Sequence, residues 1–126
     1  MATLKQLENK SFSYNETNKN QLHRAAAKAL RNIAVNLGLQ KNDFDLRSNK
    51  AGIAVSGEIT LHTDKLYIQI SESSLCKGIM VLFRTCNGRK DYVGGQNQYA
   101  TVAELESPDF LKKLKNMSAW KPDILK

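Results

Sequence analysis

The stretch from Ile53 to Ile70, I-A-V-S-G-E-I-T-L-H-T-D-K-L-Y-I-Q-I, alternates apolar and polar residues on both sides of a short polar break. Alternation with a period of two is typical of a strand that buries one face. Residues His62 to Lys65 have the composition of a turn, so the stretch predicts two antiparallel strands joined as a hairpin. The outward face of the first strand is predicted to be polar. Gly57 within it indicates a bulge or a site where another chain approaches.

Further strands are predicted after this hairpin. A continuous apolar run from Ile79 to Cys86 predicts a third strand, buried on both faces. Asn87-Gly88 is a strong signal for a tight hairpin turn because both turn residues must accept positive φ. Arg89 to Val93 is therefore predicted to return as a short fourth strand. The polar stretch from Asp43 to Lys50 is predicted to be a connection.

Helices are predicted on either side of the strands. Apolar residues recur every three or four positions from Asn18 to Leu37, which predicts one long helix. Thr17 or Asn18 is the expected N-cap, and Gly38 is the expected left-handed residue at the other end. Farther along, Thr101 to Glu104 matches a capping box, and Ser107-Pro108-Asp109 signals a second helix start.

These elements predict an α+β fold in a single domain over residues 1–126. The expected architecture is an antiparallel sheet of three to four strands with a long N-terminal helix and a C-terminal helix, in the order α-β-β-β-β-α. Residues 1–16 and 118–126 are expected to be loosely ordered. A chain of 126 residues is long enough to bury a core without help from disulfides or metal.

Composition favours a basic protein of the cytoplasm. Lys and Arg outnumber Asp and Glu by 19 to 12, and the resulting charge of +7 favours an acidic partner such as nucleic acid. No apolar run approaches the roughly 20 residues of a membrane span, and the first residues do not resemble a secretory signal. Cys76 and Cys86 lack metal-site spacing, so two reduced thiols are expected, with a disulfide as the minor alternative. No metal or cofactor is predicted.

The segment from Arg84 to Tyr99, R-T-C-N-G-R-K-D-Y-V-G-G-Q-N-Q-Y, has the composition of a binding surface. Cations attract phosphates, aromatic rings stack on bases, and amide side chains read base edges or sugar hydroxyls. The tyrosines could instead pack against the second, C-terminal helix, and the segment would then be a loop that binds nothing. The predicted phosphate contacts are Arg84, Arg89 and Lys90, the stacking residues are Tyr92 and Tyr99, and the polar readers are Gln96 and Asn97.

Two further clusters are weaker candidates. The first helix carries Lys19, Arg24, Lys28 and Arg31 at helical spacing, which forms either a second phosphate-binding face or a solvated helix surface. Glu58, His62 and Asp64 form the best catalytic constellation, and an ordinary surface hairpin would carry the same residues. His23 and His62 are the only side chains with an ordinary pKa near neutrality, and neither lies in a nucleophile motif. We therefore predict that the protein is not an enzyme.

Two phrases resemble small uncharacterised proteins encoded by bacteriophages. They are R-S-N-K-A-G-I-A-V-S-G-E-I-T-L-H, from Arg47 to His62, and G-R-K-D-Y-V-G-G-Q-N, from Gly88 to Asn97. The resemblance implies a host-takeover or counter-defence factor in the host cytoplasm, and it carries no catalytic residues. Two hypotheses follow: binding of DNA, RNA or another phosphate-bearing ligand, or docking on a host protein through an exposed strand edge. The oligomeric state stays open, with a homodimer as one option.

The predicted order of a helix, three strands and a helix also resembles the double-stranded RNA-binding domain. That family presents lysines to phosphates at the start of its last helix. In this chain the corresponding segment carries Thr101, Glu104 and Glu106, and acidic residues there repel phosphate. The resemblance is therefore limited to topology, and no functional residues are carried over.

Overall fold

The computed structural model describes residues 3–8, 10–12, 14–52, 55–72, 78–86, 88 and 95–119. These residues form a five-stranded antiparallel sheet in which the strands are neighbours in chain order. The strands are β1 (Phe44–Asn49), β2 (Glu58–Thr63), β3 (Leu66–Glu72), β4 (Ile79–Thr85) and β5 (Gln98–Ala100). The helices are α1 (Leu4–Leu7), α2 (Glu16–Asn36), α3 (Val102–Leu105) and α4 (Pro108–Ala119). The predicted α+β class, with a long N-terminal and a C-terminal helix, is confirmed.

The long helix α2 begins slightly earlier than predicted. The side-chain oxygen of Asn15 accepts a hydrogen bond from the backbone N–H of Asn18 at 3.0 Å, so Asn15 is the N-cap, and the prediction of Thr17 or Asn18 is wrong. The predicted end is confirmed, because Gly38 has φ +80°. The N–H of Leu39 then returns to the carbonyl of Ala34 at 3.0 Å and closes the last turn.

The core lies between one face of the sheet and the helices. Alternate residues of β2, β3 and β4 supply the sheet side, and Phe83 meets Phe110 of α4 edge to face at 5.0 Å. The N-terminal segment also contributes Leu4, Leu7 and Phe12, all at most 2% exposed. Burial of a side chain of this size contributes about 1.5–3 kcal/mol, so the segment is part of the core. The fully buried aliphatic residues of the sheet and α2 include Leu22, Ala26, Leu30, Ile59, Leu61, Ile68, Ile70 and Val81.

The predicted β2–β3 hairpin is confirmed, with Leu61 opposite Ile68. The hydroxyl of Thr63 accepts hydrogen bonds from two backbone N–H groups of the turn. The first strand begins at Glu58, five residues later than predicted, because Gly57 has φ +72° and ends the regular pairing. A side chain at Gly57 would overlap the carbonyl oxygen of Asn49, so the backbone segment that approaches this glycine belongs to the same chain.

Two of the strands in the described residues, β1 and β5, were not predicted. Phe44–Asn49 forms edge strand β1 where the sequence predicted a connection. Phe44 and Leu46 are its only apolar residues, and both are half-buried, so the apolar alternation is too short to stand out. At the other edge, three residues form β5 opposite β4. The predicted fourth strand, Arg89 to Val93, lies outside the described residues.

The C-terminal helices follow the predicted signals. Thr101 accepts a hydrogen bond from the N–H of Glu104, and the Glu104 carboxylate accepts one from the N–H of Thr101, both at 3.1 Å. Pro108 is the first residue of α4, whose buried side is formed by Phe110 and Leu114. Within the described ranges, no helix is long and apolar enough to cross a membrane.

Candidate ligand-binding face

The sheet face opposite the core carries a row of polar side chains, and we name it the open face. His62, Tyr67 and Arg84 lie directly opposite one another on β2, β3 and β4. The Arg84 guanidinium carbon is 4.0 Å from the centroid of the Tyr67 ring, and the Tyr67 ring meets His62 edge to face at 5.2 Å. Cation–π and edge-to-face contacts of this kind fix the orientation of all three side chains.

His62 is fully buried although it lies on the open face. Its Nε2 is 3.0 Å from the carbonyl oxygen of Gly88, and its Nδ1 is 3.3 Å from a guanidinium nitrogen of Arg47. A carbonyl only accepts and a guanidinium only donates, so Nε2 carries the proton and the ring is neutral. The outward face of β2 is polar, as predicted, but it is buried at His62, because Gly88 and Arg47 both reach the ring.

Burial and two neighbouring arginine charges lower the pKa of His62 on the open face. Burial lowers this pKa most, the charge of Arg47 lowers it next, and Arg84 lowers it further. The hydrogen bond to Gly88 and the charge of Asp45 act in the opposite direction without reversing the shift. Asp45 lies 3.7 Å from Arg47, and both side chains are partly exposed. The charges of Arg47 and Arg84, unlike burial, also favour an anion at this face.

The predicted binding segment is only partly described. Arg84 is 7% exposed, and one guanidinium nitrogen donates to the side-chain oxygen of Asn97 at 3.3 Å. Gln96 and Asn97 are exposed, and Tyr99 of β5 is 59% exposed on the open face opposite Leu82. Tyr99 therefore does not pack against the C-terminal helix, which was the alternative prediction for this residue. The predicted contacts Arg89, Lys90 and Tyr92 lie outside the described residues.

The predicted basic face of α2 lies on the other side of the sheet. Arg24, Lys28 and Arg31 are exposed. A phosphate-binding face and a solvated helix surface would both require this exposure. Lys19 is not part of it, since its side chain is 6% exposed and its ammonium group donates to the carbonyl of Gly52 at 2.7 Å. Because α2 packs against the core face of the sheet, most of this basic face lies away from the open face, but Arg31 lines the groove at the edge of β1 together with Arg47.

The structure does not bring together the three residues of the catalytic constellation that the sequence suggested, Glu58, His62 and Asp64. Glu58 and His62 share the open face, as predicted for one strand, with the buried Thr60 between them. The Glu58 carboxylate accepts a hydrogen bond from the side-chain amide of Asn49 at 3.3 Å, and Asp64 lies in the exposed turn of the hairpin. Across the described part of the chain, no group of three His, Cys, Asp or Glu residues could hold a metal ion.

The second histidine marks a site that the sequence did not predict. His23 of α2 is 3% exposed, and its ring joins the Ser48 hydroxyl to the carbonyl of Ser56. A cleft of about 410 Å³ opens beside it, lined by Asn20, His23, Arg24, Ala27, Ser48 and Lys50. The positions of His23 and Ser48 are 25 residues apart in a chain without a nucleophile motif, so no local signal could have linked them.

A groove runs along the outer edge of β1, with an apolar floor and a basic rim. It encloses about 770 Å³ between β1 and α2, and Val35 on its α2 side is 65% exposed. Arg31, Lys41 and Arg47 supply the cations of its lining, and Asp45 supplies one carboxylate, so the lining carries a net positive charge. An edge strand beside an apolar groove is a common place for an extended segment of another protein to bind.

Comparisons with known proteins returned no relative: no family model, curated protein or solved structure matches the chain. The resemblance of Arg47–His62 and Gly88–Asn97 to phage proteins stays a prediction that these comparisons leave untested.

Proposed function

We propose that this chain is a binding protein that holds nucleic acid, or another phosphate-bearing ligand, against its open face and the neighbouring residues Gln96 and Asn97, without catalysis at that face. The observation that carries the proposal is the placement of two arginines on this face: Arg47 lies 3.3 Å from the His62 ring, and Arg84 is stacked on Tyr67. The charges of both arginines favour a phosphate at the surface of this face. The net charge of +7 acts in the same direction at longer range.

Tyr99 provides the stacking surface in this proposal. Its side chain is 59% exposed, and Gln96 and Asn97 lie exposed in the residues just before β5. An exposed ring on a strand stacks on bases of any identity, and neighbouring amides can bond to base edges. Tyr99 on β5 and Arg47 on β1 lie at opposite edges of the sheet. They therefore suit a single-stranded nucleic acid that crosses the sheet better than they suit a duplex.

Arg84 has a different role from the direct phosphate contact that its sequence position suggested. Its guanidinium is stacked on Tyr67 and bonded to Asn97, and it is 7% exposed. The proposal therefore assigns to Arg84 a fixed positive charge beneath the surface and the orientation of Asn97. The exposed cation of the described face is Arg47, whose side chain is 40% exposed.

The test is fluorescence anisotropy with labelled single-stranded and double-stranded DNA and RNA at low and near-physiological salt. Single-stranded oligonucleotides should bind more tightly, and Tyr99→Ala should weaken binding by about 1–3 kcal/mol. Tyr14→Ala is the matched control, because Tyr14 is also exposed, at 72%, and lies before α2. No binding at either salt concentration, or equal losses in the two variants, would refute the proposal.

Salt dependence tests the electrostatic part separately. Each phosphate contact releases counterions, so Arg47→Gln should reduce the slope of log affinity against log salt by about one. Lys112→Gln removes the same charge from the exposed side of α4 and should leave the slope unchanged. Equal slopes for wild type and Arg47→Gln would exclude Arg47 as a phosphate contact.

The groove beside β1 favours a second candidate function, docking on an acidic partner protein. An exposed Val35 beside three cations suits an extended segment that alternates apolar and acidic residues. A labelled ten-residue peptide of alternating Val and Glu is the probe. Val35→Glu should abolish its binding and leave oligonucleotide binding intact, whereas Tyr99→Ala should do the reverse. The phage resemblance motivates a host-takeover or counter-defence role for either mode of binding.

A further inference from the structure

We propose that Ser48 and His23 form a nucleophile and general base for acyl transfer in the cleft between α2 and the end of β1. Ser48 Oγ lies 2.6 Å from His23 Nδ1, and His23 Nε2 lies 2.8 Å from the carbonyl oxygen of Ser56. A nucleophile bonded to a base that a third group orients is the arrangement that activates serine hydroxyls. This site is separate from the open face and does not depend on the proposed binding function.

The direction of both hydrogen bonds follows from the Ser56 carbonyl. It can only accept, so the neutral His23 ring carries its proton on Nε2 and leaves the lone pair of Nδ1 toward Ser48. The Ser48 hydroxyl therefore donates to Nδ1, and the oxygen lone pairs stay available for attack. Ser48 itself is exposed, whereas the ring of His23 is 3% exposed. The nucleophilic oxygen can meet a substrate while the base stays shielded from water.

Charges around His23 keep the ring neutral. Burial lowers its pKa most, and the charges of Lys50 and Lys19 lower it further, while the hydrogen bond to Ser56 and the charge of Glu58 raise it. A base with a pKa below its usual value is unprotonated at pH 7. The lowered pKa also makes His23 a weaker base, so we expect it to act on reactive esters and not on amides.

The cleft also indicates the class of substrate. Arg24 and Lys50 line it, and the Lys50 ammonium group is held by the side-chain oxygen of Asn20 at 2.7 Å. Two cations beside a nucleophile favour a carboxylic ester that carries an acidic group. The same charges stabilise the oxyanion that develops on the ester carbonyl.

The reaction balances with water as the second reactant. Ser48 Oγ bonds to the acyl carbon as its proton passes to His23 Nδ1, and the carbon–oxygen bond to the alcohol breaks as Nδ1 returns the proton to the alcohol. Water then attacks the acyl-serine, and its proton passes through Nδ1 back to Ser48 Oγ. The products are one carboxylic acid and one alcohol.

A fluorophosphonate probe tests the nucleophile directly. Ser48 Oγ should bond to phosphorus with loss of fluoride, which intact-mass and peptide mass spectrometry detect as one adduct on Ser48. Ser48→Ala should abolish the adduct, and Ser11→Ala, which changes another exposed serine, should not. Circular dichroism checks that each variant is folded. No adduct on the folded wild type, or an adduct that survives Ser48→Ala, overturns the proposal.

Two readouts separate a catalytic base from a structural hydrogen bond. The labelling rate should rise with pH and level off with a midpoint below 6.5, because only the neutral ring accepts the proton. Mono-p-nitrophenyl succinate should be hydrolysed at least 10-fold faster than p-nitrophenyl butyrate, and Lys50→Gln should shrink that preference. A labelling rate that rises tenfold per pH unit above pH 8, as for an unassisted hydroxyl, or no hydrolysis of either ester, contradicts the assignment.

Discussion

His23 and His62 make the same hydrogen bond at one ring nitrogen and different ones at the other. Each donates from Nε2 to a backbone carbonyl in a strand connection, that of Ser56 or that of Gly88. At Nδ1, however, His62 accepts from the guanidinium of Arg47, whereas His23 accepts from a serine hydroxyl. A guanidinium keeps its proton at any ordinary pH, whereas a hydroxyl can pass its proton to the ring as its oxygen bonds to an electrophile. The neighbour at Nδ1 therefore decides whether a buried neutral histidine only anchors a loop or can also accept a proton.

The two anchored connections also differ in how closely their backbones pack. In the β1–β2 connection, Gly57 lies against the backbone of Asn49 and Lys50, and Lys19 ties Gly52 to α2. In the β4–β5 connection, Gly88 has open space around the position of a side chain. The β1–β2 connection should therefore be far less tolerant of substitution at its glycine. Four predictions test the comparison between the two regions.

The largest difference should come from Gly57→Ala against Gly88→Ala. Both glycines have positive φ, +72° and +137°, so each alanine is strained by about 1–3 kcal/mol. Only at Gly57 does the new side chain also overlap backbone, which raises the expected loss to about 3 kcal/mol or more. Urea unfolding of the two variants measures both losses. Equal losses would show that the β1–β2 connection can shift to relieve the overlap.

Acid should destabilise the fold through both histidines. Their pKa values are lowered in the folded protein, by burial above all, so the unfolded chain takes up protons first as pH falls below about 6.5. Each histidine should then remove about 1.4 kcal/mol of stability per pH unit until its folded-state pKa is reached. Thermal or urea unfolding between pH 7.5 and 5 measures the slope.

His23→Gln and His62→Gln serve as the matched variants for that slope. Each variant should lose stability at pH 7.5 and show about half of the wild-type pH dependence, because one histidine remains. A wild-type stability that is flat from pH 7.5 to 5 would contradict the neutral, buried state of both rings.

Lys19→Met should destabilise the protein by about 1–2 kcal/mol. The methionine retains much of the buried apolar stem of Lys19 but loses the hydrogen bond to Gly52, and a bond to a charged group contributes on this scale. Lys28→Met changes an exposed lysine of the same helix and should stay within about 0.5 kcal/mol of wild type. Similar small losses in the two variants would mean that Lys19 does not hold the connection.

The smallest effects should be two reciprocal changes of histidine pKa. Arg47→Gln removes a charge that lowers the pKa of His62, so that pKa should rise while the pKa of His23 stays the same. Lys50→Gln should raise the pKa of His23 and leave His62 unchanged. Proton NMR titration of the two imidazoles measures both values. Equal shifts of both histidines in either variant would indicate a long-range effect of net charge instead of the local contacts.

Most of the fold could be predicted because its signals are local. The helix from Glu16 to Asn36, the β2–β3 hairpin and the capping box at Thr101 each depend on residues within a few positions of one another. The prediction missed β1, since half-buried Phe44 and Leu46 provide only two apolar positions and the strand exists through its pairing with β2. The sequence predicted the polar outward side of β2 correctly but did not show that His62 is buried there, because that burial depends on Gly88 and Arg47 from elsewhere in the chain.

The amino-acid sequence by itself determined the α+β class, the long helix with its glycine end, the central hairpin and the basic charge, because each depends on composition or on nearest neighbours. Tertiary structure alone decided which side chains meet across the sheet. It stacked Arg84 on Tyr67 and bonded it to Asn97, left Tyr99 exposed, and brought Ser48 to His23 across 25 positions. Strand register and the path of each connection set such contacts, and both result from the packing of the whole core, which no single segment specifies.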